Sequence, residues 1–204
     1  MALTLYNKKR NFKETSEPEG EVKKSVSKLI FVVQRHKASR LHYDFRLELD
    51  GVLKSWAVPK GPSMNPKDKR LAMMVEDHPY DYKDFEGTIP EGNYGAGIVE
   101  IWDSGTYSDI ENSLREKAEK NLRAGLKSGD FKFHLYGKKL KGEFVLVKLK
   151  AKEDNSWLLI KHRDSYAVDT EYNSEEQTKK NSPINQGLDE NKKPAKKKRP
   201  VKEK

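Results

Sequence analysis

Apolar and polar residues alternate over short stretches along most of the chain, a pattern typical of β-strands with one buried face. Residues 42–49 show it most clearly, and Asp50 and Gly51 follow them, a dipeptide that favours a tight hairpin turn into residues 52–58. Further strands are predicted at residues 29–33, 71–75, 98–102, 131–136, 142–150 and 157–162. The pattern predicts a mostly-β protein, either an antiparallel barrel or a sandwich.

Two stretches depart from the alternation. Ile110, Leu114, Ala118 and Leu122 recur at every fourth position, which predicts an amphipathic helix over residues 109–127. Residues 87–97 contain four glycines and a proline and are predicted to form a loop.

The composition changes along the chain and divides it into three parts. Residues 1–26 are polar and are expected to form an irregular N-terminal arm, and residues 27–170 are expected to form the folded domain. Large apolar residues are sparse in residues 171–204, so we predict a disordered basic tail there. The basic run at residues 196–202 is typical of a nuclear-import signal, a non-specific DNA-binding tail or a solubilising terminus.

The overall charge and the absence of cysteine narrow the class of function. The net charge of +9 favours a polyanionic partner, nucleic acid above all. The chain has no cysteine, which excludes disulfides, zinc fingers with thiolate ligands and iron–sulfur centres. No apolar run suits a signal peptide or a membrane span, so a cytoplasmic, nucleoid-associated protein is expected.

One group of residues is suited to binding a metal ion. Side chains alternate along a strand, so His42, Asp44 and Arg46 share one face, and Gln34 and His36 share a face of the preceding strand. Two imidazoles and a carboxylate can converge on one cation, although a surface hydrogen-bonded pair is an equally good interpretation of the pattern alone. An arginine beside metal ligands suits a site where metal and guanidinium grip the same anion, such as a phosphate.

Further candidates lie outside that group. His78 follows a predicted strand in a polar stretch before Pro79, where it is either a proton donor to a phosphate oxygen or a hydrogen-bonded loop residue. Lys60 and Arg70 are either phosphate contacts or solvated charges. His134 and His162 are interpreted as structural or surface residues.

Several blocks of residues resemble the 3'-phosphoesterase domain of bacterial ligase D and its free-standing archaeal and bacterial relatives. The blocks are residues 31–51, 52–63, 75–82 and 85–97, with weaker ones at 138–142 and 157–162. Chance agreement over so many blocks is negligible. The resemblance implies a single compact antiparallel β-barrel with short helices and a polar active site on one side.

The resemblance also implies an activity and its residues. Such enzymes release a terminal ribonucleoside from a 3' end and then remove the remaining 3'-phosphate, which leaves a 3'-hydroxyl for repair or end joining. Manganese is the usual metal, with other divalent transition metals as alternatives, and its implied ligands are His36, His42 and Asp44. The residues implied to act on the scissile phosphate are His78, Arg46, Lys60, Arg70 and Tyr82. The implied substrate-binding residues are Gln34, Arg10, Glu17 and Ser55.

The resemblance implies partners as well, and it has one departure. The expected partners are a nucleic acid with a recessed or ribonucleotide-bearing 3' end and, in trans, a separate DNA ligase, polymerase or Ku-type protein. No membrane partner is expected. The family usually has aspartate after the arginine of its N-terminal motif, where this chain has Asn11. An amide keeps the hydrogen-bonding shape of the carboxylate but removes its charge.

Two other functions fit parts of the pattern. Two histidines and a carboxylate on a β-barrel are also the ligand set of non-haem iron oxygenases, although the neighbouring Arg, Lys and Gln suit phosphate better. A basic barrel could instead bind single strands without turnover, and this alternative predicts salt-dependent binding alone.

Overall fold

The structure is a computed structural model that describes residues 3–25, 27–150 and 155–192. The strands in these residues are β1 (Leu29–Lys37), β2 (Leu41–Leu49), β3 (Val52–Val58), β4 (Arg70–Met74), β5 (His78–Pro79), β6 (Gly87–Ile89), β7 (Gly97–Ser108), β8 (Asp130–Gly137), β9 (Lys141–Lys148) and β10 (Ser156–Lys161). The α-helices are α1 (Thr4–Lys8), α2 (Arg115–Ser128) and α3 (Pro183–Lys192), with short 3-10 helices at Tyr80–Asp84 and Ser174–Gln177. None of the described helices combines the length and the apolar character that a bilayer span requires.

Eight of the strands close into an antiparallel barrel. Their order is β1-β2-β3-β4-β10-β9-β8-β7, and β7 pairs again with β1 to complete the circuit. The two short strands lie outside this circuit, with β5 paired to β3 and β6 paired to β7. The predicted mostly-β fold with a single antiparallel barrel is therefore confirmed.

The two faces of β1 and β2 have different environments, as the alternation predicted. Phe31, Tyr43, Phe45 and Leu47 point into the barrel and belong to its main apolar core. The opposite face of the same hairpin carries polar side chains, and the N-terminal arm and residues 80–89 pack over its edges. A second, smaller apolar cluster that includes Tyr6 holds these segments in place. The polar face thus forms the floor of a cleft instead of an open surface.

The helix predicted at residues 109–127 begins later than expected. Asp109 accepts a hydrogen bond from the Ser113 amide, and Asn112 adopts a left-handed backbone conformation, so residues 109–113 form a turn. The helix α2 starts at Arg115, and of the predicted apolar face only Ala118 and Leu122 are buried. Ile110 and Leu114 are exposed.

The segment from residue 171 was predicted to be disordered, and for residues 171–187 this was wrong. Ser174 is fully buried and donates a hydrogen bond to the Pro62 carbonyl, and a Cβ atom at Gly61 would clash with it at 2.4 Å. Ile184 is buried as well. The basic run at residues 196–202 lies outside the described residues.

An ion-pair cluster around Arg35 explains why composition alone missed this packing. Arg35 is fully buried on the inner face of β1, where its guanidinium contacts Glu100 at 2.9 Å and Glu175 at 2.9 and 2.6 Å. Tyr43 also donates a hydrogen bond to Glu175, and the amide oxygen of Asn185 accepts one from Arg35. The segment is therefore anchored by polar groups that satisfy a buried cation, and it needs little apolar surface of its own.

We expect Glu175→Ala to lower the free energy of unfolding by about 2 kcal/mol, because the buried Arg35 would lose two charge-assisted hydrogen bonds and keep Glu100. Urea unfolding of the 204-residue chain measures the effect. Glu176→Ala, at the neighbouring exposed position, is the matched control and should change stability by less than about 0.5 kcal/mol. Equal stability of the two variants would contradict the anchoring role of Glu175.

Candidate metal centre

The register of the β1–β2 hairpin brings His36, His42 and Asp44 together. His36 lies directly opposite His42, and Asp44 is opposite Gln34, one step further along the same face. Directly paired side chains on one face of a sheet have Cβ atoms about 5 Å apart. One ligand atom from each of the three residues lies within 4.8 Å of the others. The sequence-predicted trio therefore forms a compact cluster.

Backbone carbonyls determine which nitrogen of each imidazole faces the carboxylate. Nε2 of His36 lies 2.9 Å from the Gly95 carbonyl, and Nδ1 of His42 lies 3.0 Å from the Arg40 carbonyl. A carbonyl only accepts, so these nitrogens carry the protons. The other nitrogens, Nδ1 of His36 and Nε2 of His42, lie 3.5 and 3.6 Å from the carboxylate of Asp44. Metal-ligating histidines are oriented in this way, by a hydrogen bond from the nitrogen that does not bind the ion.

Asp44 is ionised despite its burial. Burial opposes its charged form, but the charge of Arg46 and the neighbouring His36 and His42 outweigh this effect and hold the pKa of Asp44 well below its usual value. Arg46 Nη2 donates to Asp44 at 3.0 Å. The carboxylate is therefore available as an anionic ligand at neutral pH.

Arg46 is held firmly and still has an unused donor. Its Nε donates to the side-chain oxygen of Gln34 at 2.7 Å, and the Gln34 amide nitrogen in turn donates to the carbonyls of Tyr82 and Phe85. The guanidinium also lies 4.9 Å from the centre of the Tyr82 ring. Its remaining nitrogen, Nη1, is buried without a hydrogen-bond partner in the described residues. A buried unpaired donor beside a cluster of metal-binding groups is suited to an anionic ligand.

His78 forms the opposite wall of the cleft in its neutral form. Burial, followed by the charges of Arg46 and Arg10, lowers its pKa well below the ordinary value of histidine. Its Nδ1 donates to the Glu76 carbonyl at 2.9 Å, so Nε2 carries the lone pair and accepts from Arg10 Nη2 at 3.1 Å. Nε2 is therefore the acceptor nitrogen of His78, and it is hydrogen-bonded to the Arg10 guanidinium.

The N-terminal arm contributes Arg10 and Glu17 to this wall. Arg10 Nε pairs with Glu17 at 2.8 Å, and the Tyr82 hydroxyl donates to the same carboxylate at 2.9 Å. Both side chains of the Arg10–Glu17 pair are almost completely buried. The arm thus places the Arg10 guanidinium beside His78 and orients Tyr82 through its hydrogen bond to Glu17.

Two polar residues of the cleft, Glu76 and Tyr94, were not found by the sequence analysis, nor was Lys9, which contacts both. Glu76 is a buried carboxylate that pairs with Lys9 at 2.9 Å and with Arg10 at 3.3 Å. Tyr94 lines the cleft from the glycine-rich loop, and its hydroxyl lies 3.1 Å from Lys9 Nζ. These contacts join residues more than 60 positions apart, so no local pattern indicated them. The only sequence signal was the position of Glu76, two residues before His78.

The donor set fits a divalent first-row transition metal. Two imidazole nitrogens with fixed lone pairs and one ionised carboxylate are common ligands for such ions, and separations near 3.5 Å suit donors that share one ion. His36, His42 and Asp44 would hold it, and it would supply positive charge in the cleft that Arg46 also lines.

Comparison with known proteins assigns the family. The profile of the DNA Ligase D 3'-phosphoesterase domain matches residues 34–148, more than half of the chain. The protein belongs to this family. Similar relatives are multifunctional non-homologous end joining proteins named LigD: that of Pseudomonas aeruginosa is 49% identical over 81% of this chain, that of Mycolicibacterium smegmatis 40% over 79%, and that of Mycobacterium tuberculosis 44% over 72%. The matched region covers 19%, 21% and 18% of these relatives, so the chain corresponds to about a fifth of their length.

Within this 3'-phosphoesterase domain, five of the predicted site residues do not line the cleft. Gln34 and Glu17 support it through hydrogen bonds with Arg46 and Arg10, and the other three lie apart from it. Lys60 and Arg70 line a neighbouring cavity at the end of the barrel, where Arg70 donates to Asp68 and to the Tyr172 carbonyl. Ser55 is buried on β3 and donates to the Leu53 carbonyl. Their predicted roles in the reaction stay predictions. They could contact a substrate only if the bound strand extends beyond the cleft.

The residue that departs from the family pattern also lies outside the cleft. Asn11 is exposed, and its side-chain oxygen accepts a hydrogen bond from the Lys13 amide in a turn of the arm. The contact of the adjacent Arg10 with His78 does not involve the Asn11 side chain. The exchange of an acid for an amide in this domain therefore changes the charge of a surface turn.

Proposed function

We propose that this protein is a manganese-dependent phosphoesterase that processes the 3' ends of nucleic acids in DNA repair or end joining. Its family membership supports the reaction class. The observation that carries the proposal is Arg46, which lines the cleft, donates to Asp44 of the metal-binding trio and has a buried Nη1 without a hydrogen-bond partner in the described residues. A cation and a guanidinium placed side by side bind one phosphate group from two directions.

The proposed reaction has two steps at one site. Hydrolysis of the terminal phosphodiester releases a 3'-ribonucleoside and leaves a 3'-phosphate, and hydrolysis of this monoester leaves a 3'-hydroxyl. When bound, manganese supplies Lewis-acid stabilisation of the negative charge that develops on a phosphate oxygen. Arg46 provides the complementary hydrogen bond, since Gln34 and Asp44 fix its orientation before the substrate arrives.

His78 is proposed to act on the leaving oxygen. The positive charges of Arg10 and Arg46 favour its neutral form. A bound phosphate would draw the hydrogen bonds of both arginines and offset their charge, so Nε2 of His78 would be released from Arg10 and could take up a proton from water. It would donate that proton to the ester oxygen that leaves as its bond to phosphorus breaks, while a water molecule forms the new bond to phosphorus and loses its own proton to solvent. Tyr82 and Glu17 would keep Arg10 in position during this exchange.

The cations of the cleft favour this function over iron-dependent oxygenation. Arg10 and Arg46 line the same cleft as the histidine–carboxylate trio, and Lys9 contacts Tyr94 of that cleft. Cations in these positions suit a polyanionic substrate. Lys60 and Arg70 lie beside Leu41, the residue before His42. We propose that they contact a phosphate further along the strand, and that a ligase, polymerase or Ku-type protein acts on the processed end.

The direct test is incubation with Mn2+ and a 5'-labelled primer-template whose primer ends in one ribonucleotide. We expect a shortened product with a 3'-phosphate first and then the 3'-hydroxyl product, resolved on a denaturing gel. Excess chelator should stop both steps. Salt-dependent binding with no product in any divalent metal would contradict the proposal and support a binding module. Oxygen consumption with ferrous iron and no phosphate release would support an oxygenase.

A further inference from the structure

Tyr94 is an exposed aromatic ring in the cleft of the metal-binding trio. Tyr94 is 48% exposed although it lines the same cleft as His36, His42 and Asp44. The other tyrosine of the cleft, Tyr82, is 2% exposed, and its hydroxyl is bonded to Glu17. Almost half of Tyr94 is therefore accessible to a ligand in the cleft.

The loop that carries Tyr94 is tied to the metal-binding trio. The carbonyl of the next residue, Gly95, accepts the hydrogen bond from Nε2 of His36 at 2.9 Å. Gly95 has a φ of +78°, a conformation that favours glycine, so the chain turns sharply between the ring and this carbonyl. The position of the Tyr94 ring is thus coupled through one peptide to a histidine of the trio.

Positive charges lie close to the same ring. Lys9 Nζ is 4.4 Å and the Arg10 guanidinium is 5.7 Å from the ring centre, and Lys9 also contacts the hydroxyl. The loop has a second contact with the arm, since Nδ2 of the Asn93 side chain donates to the Glu14 carboxylate at 3.3 Å. Proteins bind single nucleic-acid strands with this combination of groups. The cations contact the phosphates, and the aromatic ring stacks on a base.

We propose that Tyr94 forms a nucleobase subsite in which the ring stacks on the base of the 3'-terminal nucleoside while its phosphate lies at the trio. This assignment rests on the proposed function and adds the part of the substrate that the cleft recognises beside the phosphate. Stacking accepts every base, so the subsite selects a nucleoside end without selecting a sequence. It contributes to binding, and the hydrolysis itself is left to the trio, Arg46 and His78.

The test compares two primers that differ only in the terminal base. One ends in an ordinary ribonucleotide, and the other ends in 1-deoxyribose, which keeps the 2'-hydroxyl and has no base. On the first primer, Tyr94→Ala should raise KM by about 5- to 100-fold with kcat changed by less than about twofold. On the second, the variant and the natural protein should have equal KM values. Tyr94→Phe, which keeps the ring and loses the contact of the hydroxyl with Lys9, should restore the low KM.

A matched control and two failure outcomes complete the test. Tyr166 is 49% exposed in the loop after β10, and Tyr166→Ala should leave KM unchanged on both primers. An equal rise in KM on both primers, or no rise, would overturn the nucleobase subsite and leave the phosphoesterase proposal intact. Failure of the natural protein to act on either primer would overturn the proposed function itself, together with the subsite that rests on it.

Discussion

His42→Ala is expected to lower turnover of a 3'-ribonucleotide primer by roughly a thousandfold or more and to weaken Mn2+ binding by at least about 100-fold. The substitution removes one of three ligands and leaves Nδ1 of His36 and the carboxylate of Asp44 in place. His42 is the best position for this test because its side chain is 22% exposed, whereas those of His36 and Asp44 are 8% and 10% exposed. Truncation there should spare the fold.

Two measurements are needed to interpret the loss. Calorimetric titration with Mn2+ gives the affinity of the metal, and gel analysis of the labelled primer gives turnover. His162→Ala is the matched control, since His162 is also a half-exposed histidine and lies 3.6 Å from Glu143; it should bind and turn over normally. Full turnover by His42→Ala with unchanged metal affinity would contradict the assignment of the trio.

The trio could be predicted from the sequence because it depends on local structure. A strand of period two and a hairpin are sufficient to place His42 and Asp44 on one face and His36 opposite them. The turn after β2 was equally local: Asp50 and Gly51 both adopt left-handed conformations, with φ of 56° and 78°, as that dipeptide favours. Features of this kind follow from a few adjacent residues.

The second wall of the cleft depends on contacts between distant parts of the chain. His78 was recognised as a candidate, but its partners Arg10 and Glu76 and the state of its two nitrogens follow from packing of the arm against residues 76–82. Pattern analysis has no means of measuring such an approach. Lys60 and Arg70 show the converse, since both have suitable chemistry and yet line a different cavity.

The C-terminal segment was missed because the argument from composition considered only apolar burial. That argument is sound for a segment in isolation. Here the stabilising partner is Arg35, a charged residue inside the barrel that would be costly to leave unpaired. Glu175 satisfies it from a part of the chain 140 residues away. A buried arginine on a predicted strand is therefore a signal that an acidic segment elsewhere packs against it.

His78→Ala is expected to lower turnover by about 100- to 10,000-fold while Mn2+ affinity stays within about twofold of the natural protein. His78 contacts Arg10, Tyr6 and Tyr82 and is not one of the three clustered metal ligands, so its loss should separate hydrolysis from metal binding. Calorimetry and primer hydrolysis, measured as for His42→Ala, distinguish the two effects. His134→Ala, a half-buried histidine on β8 that stacks on Tyr136, is the control and should be unchanged in both. Equal loss of metal affinity and turnover in His78→Ala would instead place this residue among the metal ligands and contradict its role at the leaving oxygen.

The lowered pKa of the buried His78 also predicts how the free energy of unfolding depends on pH. Below about pH 6.5 the histidine of the unfolded chain takes up a proton and the buried one does not, so the natural protein should lose stability as the pH falls. His78→Gln has no such group and should lose less of its free energy of unfolding over the same pH range.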